Sequence, residues 1–126
     1  MNNLLLDTRV ALWWLESPDR LDPHARRMIL LSEGTLWLSA ASLWEMAIKK
    51  SLGQLTYPPT LLDALAHDGI KVLSVQAQHA LAVAELPLLH RDPFDRVLVA
   101  QARVEGLTIV TRDEKVRSYD VPCLPA

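Results

Sequence analysis

The chain has 126 residues, of which 50% are hydrophobic and 22% are charged, and its formal net charge is -2. A chain of this length and apolar content can bury one continuous core, so we expect a single domain over residues 1–126. Because no apolar run approaches the roughly 20 residues of a membrane span and the single cysteine excludes an internal disulfide, we expect a soluble, cytoplasmic protein.

Segments with the patterns of strands and helices alternate along the chain. In order, the sequence predicts a strand over 3–7, helices over 10–15 and 23–32, a strand over 35–39, helices over 42–50 and 60–68, a strand over 70–73, helices over 76–84 and 92–105, a strand over 107–110, a short helix over 113–118 and a last strand over 122–124. This alternation favours parallel strand pairing. The predicted fold is therefore α/β, a three-layer α/β/α sandwich with a mainly parallel central sheet.

Glycine-rich phosphate loops are absent from the sequence. No Gly-x-Gly-x-x-Gly follows the first predicted strand, no Walker loop is present, and the chain has only four glycines. A dinucleotide-binding domain and a P-loop nucleotide-binding domain are therefore excluded.

Carboxylates follow the ends of several apolar segments. Asp7 follows three leucines, and Glu45, Asp92, Asp95 and Asp113 come after later apolar segments. Because the carboxyl ends of parallel strands share one edge of the sheet, where ligands bind, we expect these acids to converge. Carboxylates are hard oxygen ligands that select Mg²⁺ or Mn²⁺ over zinc when no His or Cys joins them. Such ions suit phosphoryl chemistry.

Helix capping offers a second explanation for four of these acids. Residues 42–45 fit a capping box with Ser42 as the N-cap, and residues 92–95 and 111–114 fit similar helix starts. The two explanations are compatible, because a helix N-terminus favours a nearby negative charge. Asp7 is the acid that capping does not explain, and an unpaired charge after a central strand would be costly, so we expect it to be functional.

Basic residues lie close in sequence to the acids. They are Arg9, Lys49, Lys50, Arg91, Arg96, Arg112 and Lys115. A basic rim around a cation-binding cluster can attract a polyanion even when the whole chain is slightly acidic. His90 also stands beside these acids, and we interpret it as a surface residue, with substrate contact as the alternative.

Four segments of the chain resemble the PIN-domain nucleases, and within them the VapC-type toxins of prokaryotic toxin–antitoxin pairs. These segments are residues 4–8, 39–49, 90–102 and 107–113, and they occur in the order typical of the family. The resemblance implies a toxin that is a Mg²⁺- or Mn²⁺-dependent endoribonuclease, hydrolyses RNA, is held inactive by a cognate antitoxin and forms a homodimer.

The resemblance also assigns roles to individual residues. It implies that Asp7, Glu45, Asp95 and Asp113 are catalytic and bind the metal. Asp92 and Asp95 lie one helical turn apart; we prefer Asp95 as the principal ligand and keep Asp92 as the N-cap or a secondary ligand. The residues predicted to contact substrate or orient groups beside it are Thr8, Arg9, Arg96, Thr111 and Arg112.

Other functions and surfaces stay open at this point. The chain could be a catalytically silent binding module with the same fold, or an aspartate-based phosphohydrolase, although that class normally has a second Asp two residues after the first and this chain has Arg9. Trp13 and Trp14 are adjacent on a predicted helix and cannot both face one core, so one is expected to meet the antitoxin or a second copy of the chain, unless it packs at the domain edge.

Overall fold

The computed structural model describes residues 3–126, in which five strands and seven α-helices alternate. The strands are β1 (Leu4–Leu6), β2 (Leu36–Ser39), β3 (Ile70–Leu73), β4 (Thr108–Thr111) and β5 (Cys123–Pro125). The helices are α1 (Thr8–Glu16), α2 (Pro23–Leu30), α3 (Ala40–Ser51), α4 (Leu61–His67), α5 (Ala77–Ala82), α6 (Pro93–Glu105) and α7 (Glu114–Arg117), with short 3₁₀ turns at Pro18–Arg20 and Val83–Glu85. The predicted order of elements is confirmed, and each boundary lies within two residues of its predicted position.

The five strands form one sheet in the order β3-β2-β1-β4-β5, and every pairing is parallel. The chain runs from β1 outward through β2 to β3 and then returns to the other side of β1 to form β4. The strand order therefore reverses between β1 and β4, and in sheets of this kind a crevice opens at that point, outside the carboxyl ends of the strands.

Two apolar cores lie on opposite faces of the sheet, because successive side chains of a strand point to opposite sides. Leu4 and Leu6 pack into one core with residues of α1, α2, α3 and α4. Leu5 packs into the other with residues of α5, α6 and α7. The three-layer α/β/α prediction is thus confirmed.

Two predicted helix starts differ from the structure. Helix α3 begins at Ala40, and its N-cap is Ser39, whose hydroxyl accepts a hydrogen bond from the N–H of Ala41 at 3.0 Å. The prediction that Ser42 caps this helix is therefore wrong, because β2 runs directly into α3 and Ser42 is buried within the helix. The prediction of a third box starting at Thr111 is also wrong, since Asp113 is the N-cap of α7.

The statement that capping does not explain Asp7 is wrong as well. Asp7 is the N-cap of α1, and its Oδ1 accepts a hydrogen bond from the N–H of Val10 at 2.7 Å. Asp7 is the one residue between β1 and α1, so the residue that directly follows the strand also caps the helix. Local structure thus accounts for the presence of an acid at position 7, and only its other contacts bear on function.

The adjacent tryptophans of α1 follow the alternative in which one of them packs at the edge of the domain. Trp13 is buried and Trp14 packs against the same core from its margin, so both neighbours on α1 contribute to one core. The exposed tryptophan is Trp44 on α3, which is 64% exposed and makes an edge contact with Phe94 at 5.2 Å between ring centroids. Among residues 3–126, no helix has the length and apolar character needed to cross a membrane.

Candidate active site

A pocket of about 460 Å³ opens at the carboxyl ends of β1 and β4. The acids that line it come from four parts of the chain that are distant in sequence, and they are Asp7, Glu45, Asp92, Asp95 and Asp113. The structure therefore brings together all five carboxylates that the sequence singles out. They meet at the point where the strand order of the sheet reverses.

Asp7 lies at the centre of this edge, between the end of β1 and the start of α1. Its Oδ1 accepts the capping bond from Val10, and its Oδ2 accepts a short hydrogen bond from the hydroxyl of Thr111, the last residue of β4. Burial raises the pKa of the Asp7 carboxyl, although both hydrogen bonds act in the opposite direction. The carboxylate is thus held in one orientation by the first turn of α1 and by the end of β4.

Glu45 reaches the same pocket from the middle of α3. Its Oε1 accepts a hydrogen bond from the hydroxyl of Thr8 at 2.7 Å, and its Oε2 lies 3.3 Å from Nζ of Lys49, one turn later on the helix. The side chain of Glu45 is only 13% exposed. Thr8 and Thr111 therefore have matching roles, since each donates its hydroxyl to a carboxylate of the pocket.

The two acids at the start of α6 have different surroundings. Asp92 is the N-cap, as predicted, and its Oδ1 accepts hydrogen bonds from the N–H groups of Phe94 at 2.9 Å and Asp95 at 3.3 Å. Asp95 lies one turn further on, and its Oδ2 is 2.9 Å from Nε2 of His90. Asp92 is thus engaged at least partly in capping, whereas the carboxylate of Asp95 faces other side chains of the pocket.

The pKa of Asp95 is raised to about 7, first by burial and then by the neighbouring carboxylates of Asp92, Asp7 and Asp113, while His90 lowers it. Carboxylates that lie close together in a partly buried pocket disfavour one another's ionisation. Without a cation, the surroundings of Asp95 therefore favour the protonated, neutral form of its carboxyl group.

Asp113 is the remaining acid of the cluster, and it lies just after the carboxyl end of β4. Its Oδ1 accepts the N-capping bond from the N–H of Lys115 at 2.8 Å, and its Oδ2 lies 3.3 Å from Nε2 of His90. One ligand atom each from His90, Asp95 and Asp113 lies within 4.8 Å of the other two. These three residues could hold one metal ion between them.

His90 is the residue of this pocket whose position was predicted wrongly. Only 13% of its side chain is exposed, so it is not a surface residue. It stands two residues before the N-cap of α6, and this closeness to Asp92 was the signal in the sequence that favoured a place in the site. Its burial depends on packing against residues far away in sequence, such as Tyr119, which the sequence pattern does not reveal.

Arg9 and Arg112, two of the predicted substrate-binding residues, line the pocket. Their guanidinium groups lie 6.0 Å and 4.4 Å from the centre of the Trp13 ring. Arg112 also donates a hydrogen bond to the backbone carbonyl of Ala126 at 2.6 Å. Both side chains are exposed, and they place positive charge on one side of the acidic cluster.

Arg96 has a different place. It does not belong to the lining of the pocket as described over residues 3–126. Its guanidinium donates hydrogen bonds to the backbone carbonyls of Val83 at 3.0 Å and Pro87 at 3.1 Å, and to the hydroxyl of Tyr119 at 3.1 Å. The structure therefore places Arg96 in the interior of the loop between α5 and α6 and does not bring it together with the other predicted site residues.

The chain is similar to known proteins over nearly its whole length. The model of the PIN domain family matches residues 4–122. The chain is 34% identical over 125 residues to Ribonuclease VapC22 of Mycobacterium tuberculosis (strain ATCC 25618 / H37Rv), and the match covers 97% of this chain and 95% of that protein.

Solved structures share the fold at lower identity. A chain in the crystal structure of VapBC2 from Rickettsia felis, bound to a DNA fragment from its promoter, matches with a TM-score of 0.72 and 16% identity, over 98% of each chain. A chain in a toxin–antitoxin complex from Klebsiella pneumoniae matches with a TM-score of 0.63 and 15% identity, over 96% of this chain and 95% of that one. By the family match and the close relative together, the chain belongs to the PIN domain family, as a VapC-type member.

Proposed function

We propose that this chain is the toxin of a toxin–antitoxin pair and that it hydrolyses phosphodiester bonds of RNA as an endoribonuclease that depends on Mg²⁺ or Mn²⁺. The observation that carries this proposal is the convergence of Asp7, Glu45, Asp95 and Asp113 on one pocket at the switch point of the sheet. The 34% identity to a protein named as a ribonuclease supports the reaction class.

The donor set of the pocket fits a hard divalent cation. Its acidic side chains offer carboxylate oxygens, the ligands that Mg²⁺ and Mn²⁺ prefer. Burial raises the pKa values of Asp7 and Asp95, and neighbouring carboxylates raise them further, so a cation among these acids would favour their ionised forms. When bound, such an ion supplies an activated water and neutralises the charge of the scissile phosphate.

The residues of the chain itself would then hold and orient the reacting groups. We infer that Asp7, Asp95 and Asp113 hold the ion, with Asp92 as a secondary ligand. The hydroxyl of Thr111 fixes Asp7 from the neighbouring strand, so that the ligand is in place before substrate arrives.

Glu45 would act from the opposite wall of the pocket. Thr8 and Lys49 contact its two oxygens and hold the carboxylate at the pocket, where it would accept a proton from the attacking water. Arg9 and Arg112 are exposed beside this space and would bind the phosphate backbone of the RNA.

Replacing Asp7 tests the proposed reaction. Purified Asp7→Asn protein is expected to cut a mixed RNA substrate at least about a hundredfold more slowly than the parent in Mg²⁺, because the variant removes a charge from the ligand set. The products of the parent should carry 5′-phosphate and 3′-hydroxyl ends. Asp68→Asn changes an exposed acid at the end of α4, outside the pocket, and should leave the rate unchanged.

Equal rates for Asp7→Asn and the parent, after nuclease contamination is excluded, would refute the proposal. Binding of RNA without cleavage by the parent would favour a silent binding module instead. Hydrolysis of small phosphate monoesters, with a phosphorylated protein intermediate, would favour an aspartate-based phosphohydrolase.

We also infer an antitoxin partner and a homodimer. The toxin–antitoxin complex from Klebsiella pneumoniae shares this fold, and the exposed Trp44 beside Phe94 is a side chain of the kind that protein interfaces bury. Analytical ultracentrifugation of the isolated chain should give a dimer. A monomer at high concentration would contradict the inferred homodimer and leave the nuclease proposal intact.

A further inference from the structure

His90 enters the acidic pocket with one nitrogen directed at two carboxylates. Its Nε2 lies 2.9 Å from Oδ2 of Asp95 and 3.3 Å from Oδ2 of Asp113. Among the described residues that line the pocket, it is the one histidine, and the proposed catalytic set of acids does not include it. A nitrogen ligand in this position would change the character of an otherwise all-oxygen metal site.

The contacts of Nε2 have the distances of hydrogen bonds but not their direction. Although both carboxylate oxygens are near, this buried nitrogen has no hydrogen-bond partner of acceptable geometry. A buried ring nitrogen without such a partner is uncommon and calls for an explanation. The nitrogen and the two oxygens instead surround a common point.

The spacing of these atoms fits the coordination of one ion. In an octahedral site with bonds of about 2.1 Å, neighbouring ligand atoms are about 3.0 Å apart. The separations of 2.9 Å and 3.3 Å from Nε2 to the two oxygens bracket that value. All three ligand atoms also lie within 4.8 Å of one another, as ligands of a single ion must.

The backbone of His90 is fixed before any ligand binds. Its N–H donates to the hydroxyl oxygen of Tyr119 at 3.0 Å, and its carbonyl accepts from Arg96 at 3.5 Å. The other ring nitrogen, Nδ1, accepts only a long hydrogen bond of 3.4 Å from the N–H of Asp92. A ligating imidazole must carry its proton on Nδ1, so this long bond is the one contact that ligation has to replace.

We propose that Nε2 of His90 is a ligand of the divalent ion, so that His90, Asp95 and Asp113 form a mixed nitrogen and oxygen centre that favours Mn²⁺ over Mg²⁺. The proposal rests on the proposed function, because it concerns the same ion. Imidazole is a softer ligand than carboxylate, and its presence strengthens binding of transition-metal ions more than binding of Mg²⁺.

Pulsed electron paramagnetic resonance of bound Mn²⁺ tests this directly. Untagged protein loaded with one equivalent of Mn²⁺ should show the coupling of a directly bound nitrogen, and isotopic labelling of histidine alone should change that coupling. The coupling should disappear in His90→Gln and persist in His67→Gln, a matched variant in α4 outside the pocket.

The possible outcomes separate this proposal from the proposed function. Bound Mn²⁺ without a histidine coupling in the parent protein would overturn the ligand role and leave His90 as an ion-pair partner of the acids. A parent protein that binds no Mn²⁺ would overturn both. The labelling experiment needs no variant, so the result stands even if His90→Gln does not fold.

Metal affinities provide a second readout that does not depend on nuclease activity. Titration calorimetry of His90→Gln should show binding of Mn²⁺ weakened by about tenfold or more and binding of Mg²⁺ changed much less. Equal weakening for both ions would contradict the ligand role, because the loss of a positioning contact acts on both ions alike.

Discussion

The charge of Asp95 is opposed by its own surroundings. Burial and three neighbouring carboxylates raise its pKa to about 7 from the ordinary value of 3.8. Between these two values the folded state holds a proton that the unfolded chain has lost. The stability of the metal-free protein must therefore fall as the pH rises through this range, because the unfolded state gives up its proton first.

Replacing Asp95 by its neutral isostere, asparagine, removes the free-energy cost of holding a charge at this position. With metal chelated, Asp95→Asn should unfold at a temperature about 4 °C higher than the parent near pH 8, and the difference should shrink as the pH falls toward about 4. Thermal unfolding monitored by circular dichroism at several pH values measures this. A variant that is less stable than the parent at the higher pH would contradict the unfavourable placement of this charge.

The hydroxyl of Thr111 can be tested by a change that keeps the shape of the side chain. Thr111→Val removes both the bond to Asp7 and the acceptor for the N–H of Asp113, which should lower the free energy of unfolding by about 1–2 kcal/mol. The rate of RNA cleavage should fall by about tenfold, because Asp7 loses its fixed orientation. Thr108→Val on the same strand is the control, and an equal loss of activity in both variants would argue against a specific role.

Arg96 connects elements rather than acting within the pocket. Its guanidinium bonds to carbonyls of the segment between α5 and α6 and to Tyr119, which follows α7. The same segment carries His90, so the position of the pocket histidine depends on this arginine. These bonds connect the segment between α5 and α6 to the end of α7, and the substrate contact of Arg96 stays a prediction.

A lysine at position 96 cannot reproduce the planar fork of an arginine. Arg96→Lys should lower the free energy of unfolding by about 2 kcal/mol in denaturant titrations. In Arg96→Gln, which removes the positive charge, the salt dependence of RNA binding without metal should stay unchanged, since no phosphate contact is lost. Arg91→Lys, at an exposed neighbour, should alter stability by less than about 0.5 kcal/mol. A reduced salt dependence in Arg96→Gln would instead support the substrate contact that the sequence predicted.

The sequence predicted the elements well because strands and helices have local signals. The strands lie within a few residues of the apolar runs that predicted them. Gly53, Gly69 and Gly106 lie within a few residues of the ends of the helices that they stop. Helix starts were less predictable where strand and helix are continuous. Asp7 directly follows β1 and Ser39 ends β2, and each caps the next helix. A capping pattern further along the chain, at Ser42, had equal local support.

At the scale of the whole molecule, the proposed ion should contribute to stability. The acids lie at the starts of α1, α6 and α7 and within α3, so an ion held among them connects elements from both faces of the sheet only in the folded state. Free Mn²⁺ at a hundred times its dissociation constant should raise the free energy of unfolding by about 2.7 kcal/mol.

Thermal unfolding with and without Mn²⁺ measures this stabilisation. Asp113→Asn should lose most of it, because it removes one ligand, whereas Asp120→Asn, at an exposed acid outside the pocket, should keep it. An equal shift in both variants would show that the stabilising ion binds elsewhere.

The sequence by itself determined the α/β class, the order of the elements, the resemblance to the PIN-domain nucleases and the five acids. These features depend on residue type and on spacing over a few positions. Only the tertiary structure decided how the side chains pair. The bond from Thr111 to Asp7 joins residues 104 positions apart, and the bond from Thr8 to Glu45 spans 37. The order of the strands and the direction of each side chain determine such contacts, and neither leaves a local signal in the sequence. For the same reason, the burial of His90 and the position of Arg96 outside the pocket lining became visible only in the fold.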